Sequence, residues 1–163
     1  MRTGRRAAWM RRALAVACAL LLPAAVALAV TPSKGTWSGS TSRPAPVSFR
    51  VLKDRSAMRR FRVGSDGPPP TGVRLRCSSK PGDYIDSEFV ARKGGADAIP
   101  VDSGGHFAAR YDTSGKISRG TLKVVGRFKS RHSAAGTLNW KVKTRKGNHT
   151  CKSGNVHFTA HNP

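Results

Sequence analysis

Leu122-Lys123-Val124-Val125-Gly126-Arg127-Phe128-Lys129 is followed, after Ser130-Arg131-His132-Ser133, by Gly136-Thr137-Leu138-Asn139-Trp140-Lys141-Val142-Lys143. In the first run Leu122, Val124, Gly126 and Phe128 share one parity, against Lys123, Val125, Arg127 and Lys129. In the second, Gly136, Leu138, Trp140 and Val142 oppose Thr137, Asn139, Lys141 and Lys143. Alternation with a period of two belongs to a strand, whose successive side chains point to opposite faces. Ser130-Arg131-His132-Ser133 has the length of a hairpin connection. The segment therefore predicts two antiparallel strands with one apolar face and one basic face.

The same pattern extends outward. Val156, Phe158 and Ala160 oppose Asn155, His157, Thr159 and His161, while Val47, Phe49 and Val51 alternate with Ser48 and Arg50. Phe61 and Val63 alternate with Arg60 and Arg62, and Val73, Leu75 and Cys77 with Arg74 and Arg76. Shorter candidates are residues 36–40, 87–91, 98–101 and 106–111. Lys53-Asp54-Arg55-Ser56 reads as a second hairpin connection, whereas Asp66-Gly67-Pro68-Pro69-Pro70 is a loop or a crossover between sheets, because consecutive prolines remove ladder donors. About nine or ten short strands result, with almost no helical periodicity. Strands with one apolar face must cover it, so the expected fold is an all-β antiparallel β-sandwich, with a β-barrel as the alternative. Trp37 and Trp140 share the core parity and are expected inside rather than on a sugar platform.

The N-terminus differs in kind. Arg2, Arg5, Arg6, Arg11 and Arg12 precede an apolar run from Ala13 to Val30, interrupted by Pro23, and Ala27-Leu28-Ala29 offers small residues at the positions a signal peptidase reads. Residues 1–29 are thus expected to be a helical signal peptide, 30–34 a leader, and 35–163 the β domain. An uncleaved signal is the competing reading and the one expected route to a membrane. The export route, general or twin-arginine, stays open. Cys18 falls within the signal, which leaves Cys77 and Cys151. In an oxidising compartment these two are expected to pair.

Gly35-Thr36-Trp37-Ser38-Gly39, Pro46-Val47-Ser48-Phe49-Arg50-Val51, Arg60-Phe61-Arg62-Val63, Gly105-His106-Phe107, Val125-Gly126-Arg127-Phe128, Ala135-Gly136-Thr137-Leu138 and the run from Cys151 to Ala160 together carry a resemblance. They look like a group of secreted β-sandwich domains of actinobacteria and their relatives, mostly uncharacterised. The likeness spans about residues 35 to 161. It implies an extracytoplasmic location, supports the Cys77–Cys151 bridge, and supplies no catalytic residues.

Charge dominates the remaining signal. The chain carries 30 Lys+Arg against 8 Asp+Glu, a formal net charge of +22, which loss of the five signal arginines would bring to +17. Hydrophobic residues at 38% still suffice for a packed core, which excludes a wholly disordered chain. Arg50, Arg60, Arg62, Arg74, Arg76, Lys123, Arg127, Lys129, Lys141 and Lys143 all fall on outward parity. Such faces attract polyanions: anionic cell-wall polymer, lipid headgroups or extracellular nucleic acid. Solvated charges that merely keep sheet edges apart are the plainer reading. Sequence-specific nucleic-acid readout is not expected, since no recognition helix, zinc finger or aromatic ribonucleoprotein motif is present.

Other constellations are thin. Asp83, Asp86 and Glu88 form the one acidic cluster; Asp86 and Glu88 would share a strand face about 7 Å apart, a spacing open to carboxylate-pair hydrolysis. His157 and His161 on a strand lie about 13 Å apart, too far to share a metal. Cys151 lacks the following arginine of a sortase, and no Gly-x-Ser-x-Gly elbow exists. No cofactor and no metal are called for. The sequence thus points to an exported, envelope-associated, non-enzymatic structural or adhesive module that binds anionic polymer electrostatically. An envelope hydrolase using Asp86 and Glu88, or a small-ligand binder between sheets, are the alternatives.

Overall fold

The computed structural model describes residues 30–64, 72–79, 84–87, 89–90, 98–114, 118–144 and 149–163. The expected signal at 1–29, the Asp66–Pro70 loop, Asp83 and Glu88 lie outside these residues. The elements are β1 (Gly35–Thr41), β2 (Pro46–Val51), β3 (Ala57–Val63), β4 (Val73–Cys77), β5 (Tyr84–Ser87), β6 (Phe89–Val90), β7 (Ile99–Pro100), β8 (His106–Ser114), β9 (Ser118–Phe128), β10 (Ser133–Thr144) and β11 (Thr150–His161). There is no helix among the described residues.

The expected alternation sets the longest hairpin. β9 and β10 pair from Phe128 opposite Ala134 to Ser118 opposite Thr144, and β10 then pairs β11. The turn at residues 130–133 is closed by the Lys129 and Ser130 N–H groups donating to Ser133 O. Residues 53–56 likewise connect β2 to β3, with Leu52 N–H donating to Ala57 O. Side chains of core parity are buried along all these strands, including Val47, Phe49, Val51, Phe61, Leu122, Val124, Leu138, Val156 and Phe158. Trp37 and Trp140 are buried as well.

Parity favours two stacked sheets, but all eleven strands belong to one antiparallel sheet that curls into a half-barrel. Its path runs β6-β3-β2-β1-β11-β10-β9-β8. Two forks keep it continuous. The long β11 carries both β1 and β4 on one edge, β1 along Phe158–His161 and β4 along Cys151–Lys152. β3 carries β6 at Arg62–Val63 and β7 at Ala57–Met58. Val101, next to β7, bridges Phe107 of β8, so one short segment laces the two margins of the curl together at one rim. A sheet bent this far covers its own apolar face, which is the same requirement two stacked sheets would meet.

The interior is a cluster of rings. Phe49 lies 5.7 Å from Trp37, 6.3 Å from Phe61 and 6.2 Å from Phe128, centroid to centroid. Phe107 approaches Phe128 at 5.4 Å and Phe158 at 6.4 Å. Tilted and edge-on pairs at such separations add about 0.5 to 1.5 kcal/mol each beyond the area they bury.

Two bulges break the parity. In β3 the register shifts opposite Ser48–Arg50, so that Met58 and Phe61, three residues apart, both point inward while Arg59 and Arg60 both point out. Arg60 pays for this with a left-handed φ of 55°. In β11 the shift falls between Lys152 and Asn155, where Gly154 adopts φ 64° and the buried Ser153 hydroxyl accepts from Trp140 N–H at 2.8 Å. A glycine at the left-handed position of a bulge avoids the Cβ clash that Arg60 bears.

Candidate functional site

The β4–β11 junction builds a groove from the backbone upward. Cys77 stands opposite Cys151 and Arg76 opposite Lys152; these are the register pairs of the junction. The Cys77–Cys151 disulfide closes it covalently over a sequence separation of 74. Ser78 N–H donates to Thr150 O at 2.9 Å, and Thr150 N–H donates to Ser78 Oγ at 3.2 Å, which extends the contact one step further. In a strand, the residue beside a buried half-cystine must face out, so Arg76 and Lys152 are exposed side by side.

Arg43 reaches the same place from the turn after β1. The buried Thr41 hydroxyl donates to Arg43 O and accepts from Ala45 N–H at 3.2 Å, which shapes the turn. Arg43 Nη1 then donates to Arg74 O at 2.7 Å across 31 residues of sequence. On the far side β10 contributes Lys141, directly opposite Lys152. The groove has a volume of about 920 Å³; Arg43, Arg74, Arg76, Lys141 and Lys152 line it, with the hydroxyls of Ser78, Thr150 and Ser153.

Lys141 also lines a second depression of about 560 Å³ with Arg110, Lys123, Thr121, Thr137, Asn139 and Asn155. There Asn139 Nδ2 donates to Asn155 Oδ1 at 3.0 Å, and the Thr137 hydroxyl and His157 Nδ1 lie 3.3 Å apart. A third hollow, of about 450 Å³, gathers Lys34, Arg50, Lys53, Arg59 and Arg60 where β2 meets the β3 bulge.

Several exposed cations, in these hollows and beyond them, stand directly opposite one another: Arg76 and Lys152, Lys152 and Lys141, Arg110 and Lys123, Arg119 and Lys143, Arg50 and Arg59. Like charges in facing positions destabilise an antiparallel pair by a few tenths of a kcal/mol to about 1 kcal/mol. The described ion pairs offset little of this. Asp112 Oδ1 sits 3.5 Å from Arg110 Nε, and Asp102 Oδ2 sits 3.2 Å from His106 Nδ1, both exposed. Asp102 also accepts from His106 N–H at 2.7 Å, and that backbone bond, more than the imidazole, holds its carboxyl below the ordinary value.

Of the ten cations picked out by parity, all are exposed except Arg62, which is half-buried. Arg74, Arg76 and Lys141 come together in the main groove, Lys123 joins the second, and Arg50 and Arg60 join the third. Arg127, Lys129 and Lys143 line none of these. Parity missed Arg43 and Lys152, and the signal for Lys152 was at hand: joining the two half-cystines puts their neighbours Arg76 and Lys152 in contact. The backbone of Asp86 pairs with Arg74 of β4, while Glu88 is outside the described residues. No cluster of metal-ligating side chains occurs among the described residues. No family model matches the chain, and neither does any curated protein or solved structure.

Proposed function

We propose that the protein is an exported, non-enzymatic module that binds anionic polymer at the cell envelope through its basic sheet face. The observation that carries this reading is the groove at the β4–β11 junction, where the cationic side chains of Arg43, Arg76, Lys141 and Lys152, from four separate parts of the chain, converge. Facing like charges cost stability, and a bound polyanion would neutralise them. The disulfide suits an oxidising compartment, in keeping with the signal-like N-terminus. By the same proposal the chain belongs with the secreted β domains it resembles.

The interior offers no support for a small-ligand binder, because the rings of Trp37, Phe49, Phe61, Phe107, Phe128 and Phe158 pack against one another there. The test is binding of the oxidised protein to isolated anionic wall polymer across a salt series. Counterion release predicts a linear fall of log affinity with log salt, by roughly one unit of slope per neutralised anion. Binding that is indifferent to salt would refute the reading.

A further inference from the structure

The strand order β4-β11-β10-β9-β8 places one outward cation on each of five successive neighbours: Arg76, Lys152, Lys141, Lys123 and Arg110. Arg76, Lys152 and Lys141 form a straight row of directly facing residues. Lys141 faces Thr121 on β9, so the next step is a diagonal to Lys123, which directly faces Arg110. The track therefore crosses the strands, with three steps of one strand spacing and one diagonal, a length of about 22 Å. It also joins the two depressions, because Lys141 lines both.

We infer that this track is a binding site for a linear acidic polysaccharide laid across the strands, with one carboxylate per sugar. The inference rests on the polyanion reading above and assigns it a location, a direction and a chemical class. Charge spacing supports it: three of the four steps place cations on neighbouring strands whose backbones are about 4.8 Å apart, which matches a polymer that bears one anion per single-ring repeat. So does the composition between the cations. Ser78, Thr150 and Thr121 supply hydroxyls, and Asn139 and Asn155 supply amides, which are the groups that exchange hydrogen bonds with sugar hydroxyls. Nucleic acid is the less suited polyanion, because single strands are held by aromatic platforms, and the described polar side chains between these cations are hydroxyls and amides. Asp112 marks the end of the direct row: it faces Thr121, whose hydroxyl donates to it at 3.0 Å, and it engages Arg110 from the side.

The experiment uses the oxidised protein with 1,4-linked oligouronates of increasing length, polyphosphate, and single-stranded DNA of matched charge. Two triple variants remove the same charge: Lys123→Gln/Lys141→Gln/Lys152→Gln on the track, and Arg50→Gln/Lys53→Gln/Arg59→Gln at the third hollow. Affinity for oligouronates should climb to about five sugars and then level off, since about five strand spacings span the track. The track triple should lose roughly tenfold or more in affinity, about 1.4 kcal/mol, with the control triple nearly unchanged. The track triple should also melt at the same temperature or higher, because facing like charges are gone. Equal losses in both triples would overturn the track and leave general polyanion binding standing. Preference for polyphosphate or DNA over oligouronate at matched charge would overturn the polysaccharide assignment. No binding of the unaltered protein to any of the three at low salt would remove both readings.

Discussion

Phe107 and Phe158 sit on strands separated by two others, β9 and β10, and yet their ring centroids are 6.4 Å apart. They meet because the intervening positions are Gly126, facing Phe107 along the ladder, and Gly136, facing Gly126 and Phe158. A Cβ on Gly126 would lie 2.5 Å from Phe107 Cζ, and one on Gly136 would lie 2.6 Å from the Phe158 ring. The empty glycine positions are the floor on which the two rings close the interior.

Gly126→Ala and Gly136→Ala should therefore each destabilise the fold by about 2 to 3 kcal/mol, as overpacking of a dense core does. Urea unfolding measures this. Phe107→Leu in the Gly126→Ala background should restore part of the loss only, because the added Cβ also meets Ala135 O at 2.7 Å. Full tolerance of either alanine would mean the sheet is less tightly curled there.

The two bulges make opposite predictions. Nothing lies within 4 Å of a Cβ at Gly154, so Gly154→Ala should cost only the conformational strain of φ 64°, about 1 kcal/mol, and Gly154→Asn less. Arg60→Gly relieves the same strain at φ 55° and should raise stability by up to about 1 kcal/mol. Matched thermal melts would show the pair of signs; a loss on Arg60→Gly would mean that its side-chain contacts outweigh the backbone gain.

Reduction of Cys77–Cys151 frees a long loop, and in the chain-entropy account it should remove about 4 to 5 kcal/mol. The junction it clamps has two register pairs, one of which sets Arg76 against Lys152. Hydrogen exchange after reduction should accordingly show protection lost first at β4, ahead of the β9–β10 hairpin. Simultaneous loss across all strands would mean that β4 and the ring cluster form one cooperative unit.

Asp102 gives a pH signature. Its carboxyl titrates below the ordinary value of 3.8 because it accepts from His106 N–H and, secondarily, meets the imidazole. A folded-state value below the unfolded one means stabilisation that is present above the unfolded value and lost as pH falls through the folded one. Asp102→Asn should lower the melting temperature at pH 6, with the difference vanishing at acid pH below the folded-state value. A constant difference at all pH values would assign the effect to packing rather than charge.

Much of this molecule is legible in its side-chain parity. The Leu122–Phe128 and Gly136–Val142 runs turn up paired and buried as their alternation requires, and Cys77 meets Cys151. What parity omits is which strand neighbours which. β1 and β4 share one edge of β11, and that fact makes a single curled sheet instead of two layers; it depends on register between distant segments rather than on any local pattern. The bulges were hidden for a related reason, since Arg59-Arg60 reads as an ordinary step of a basic strand until Met58 and Phe61 are both seen inside. The groove inherits both gaps. Its cations are individually legible, and their convergence is a product of strand order.

The half-cystine link has a last consequence. β5 through β10 lie between Cys77 and Cys151, so they belong to a covalent ring while β1, β2, β3 and the end of β11 lie outside it. A protease that cuts once anywhere inside that ring detaches nothing: both ends stay tied through sulfur. Outside a cell, where degradative enzymes abound, a single nick would leave every piece on one molecule.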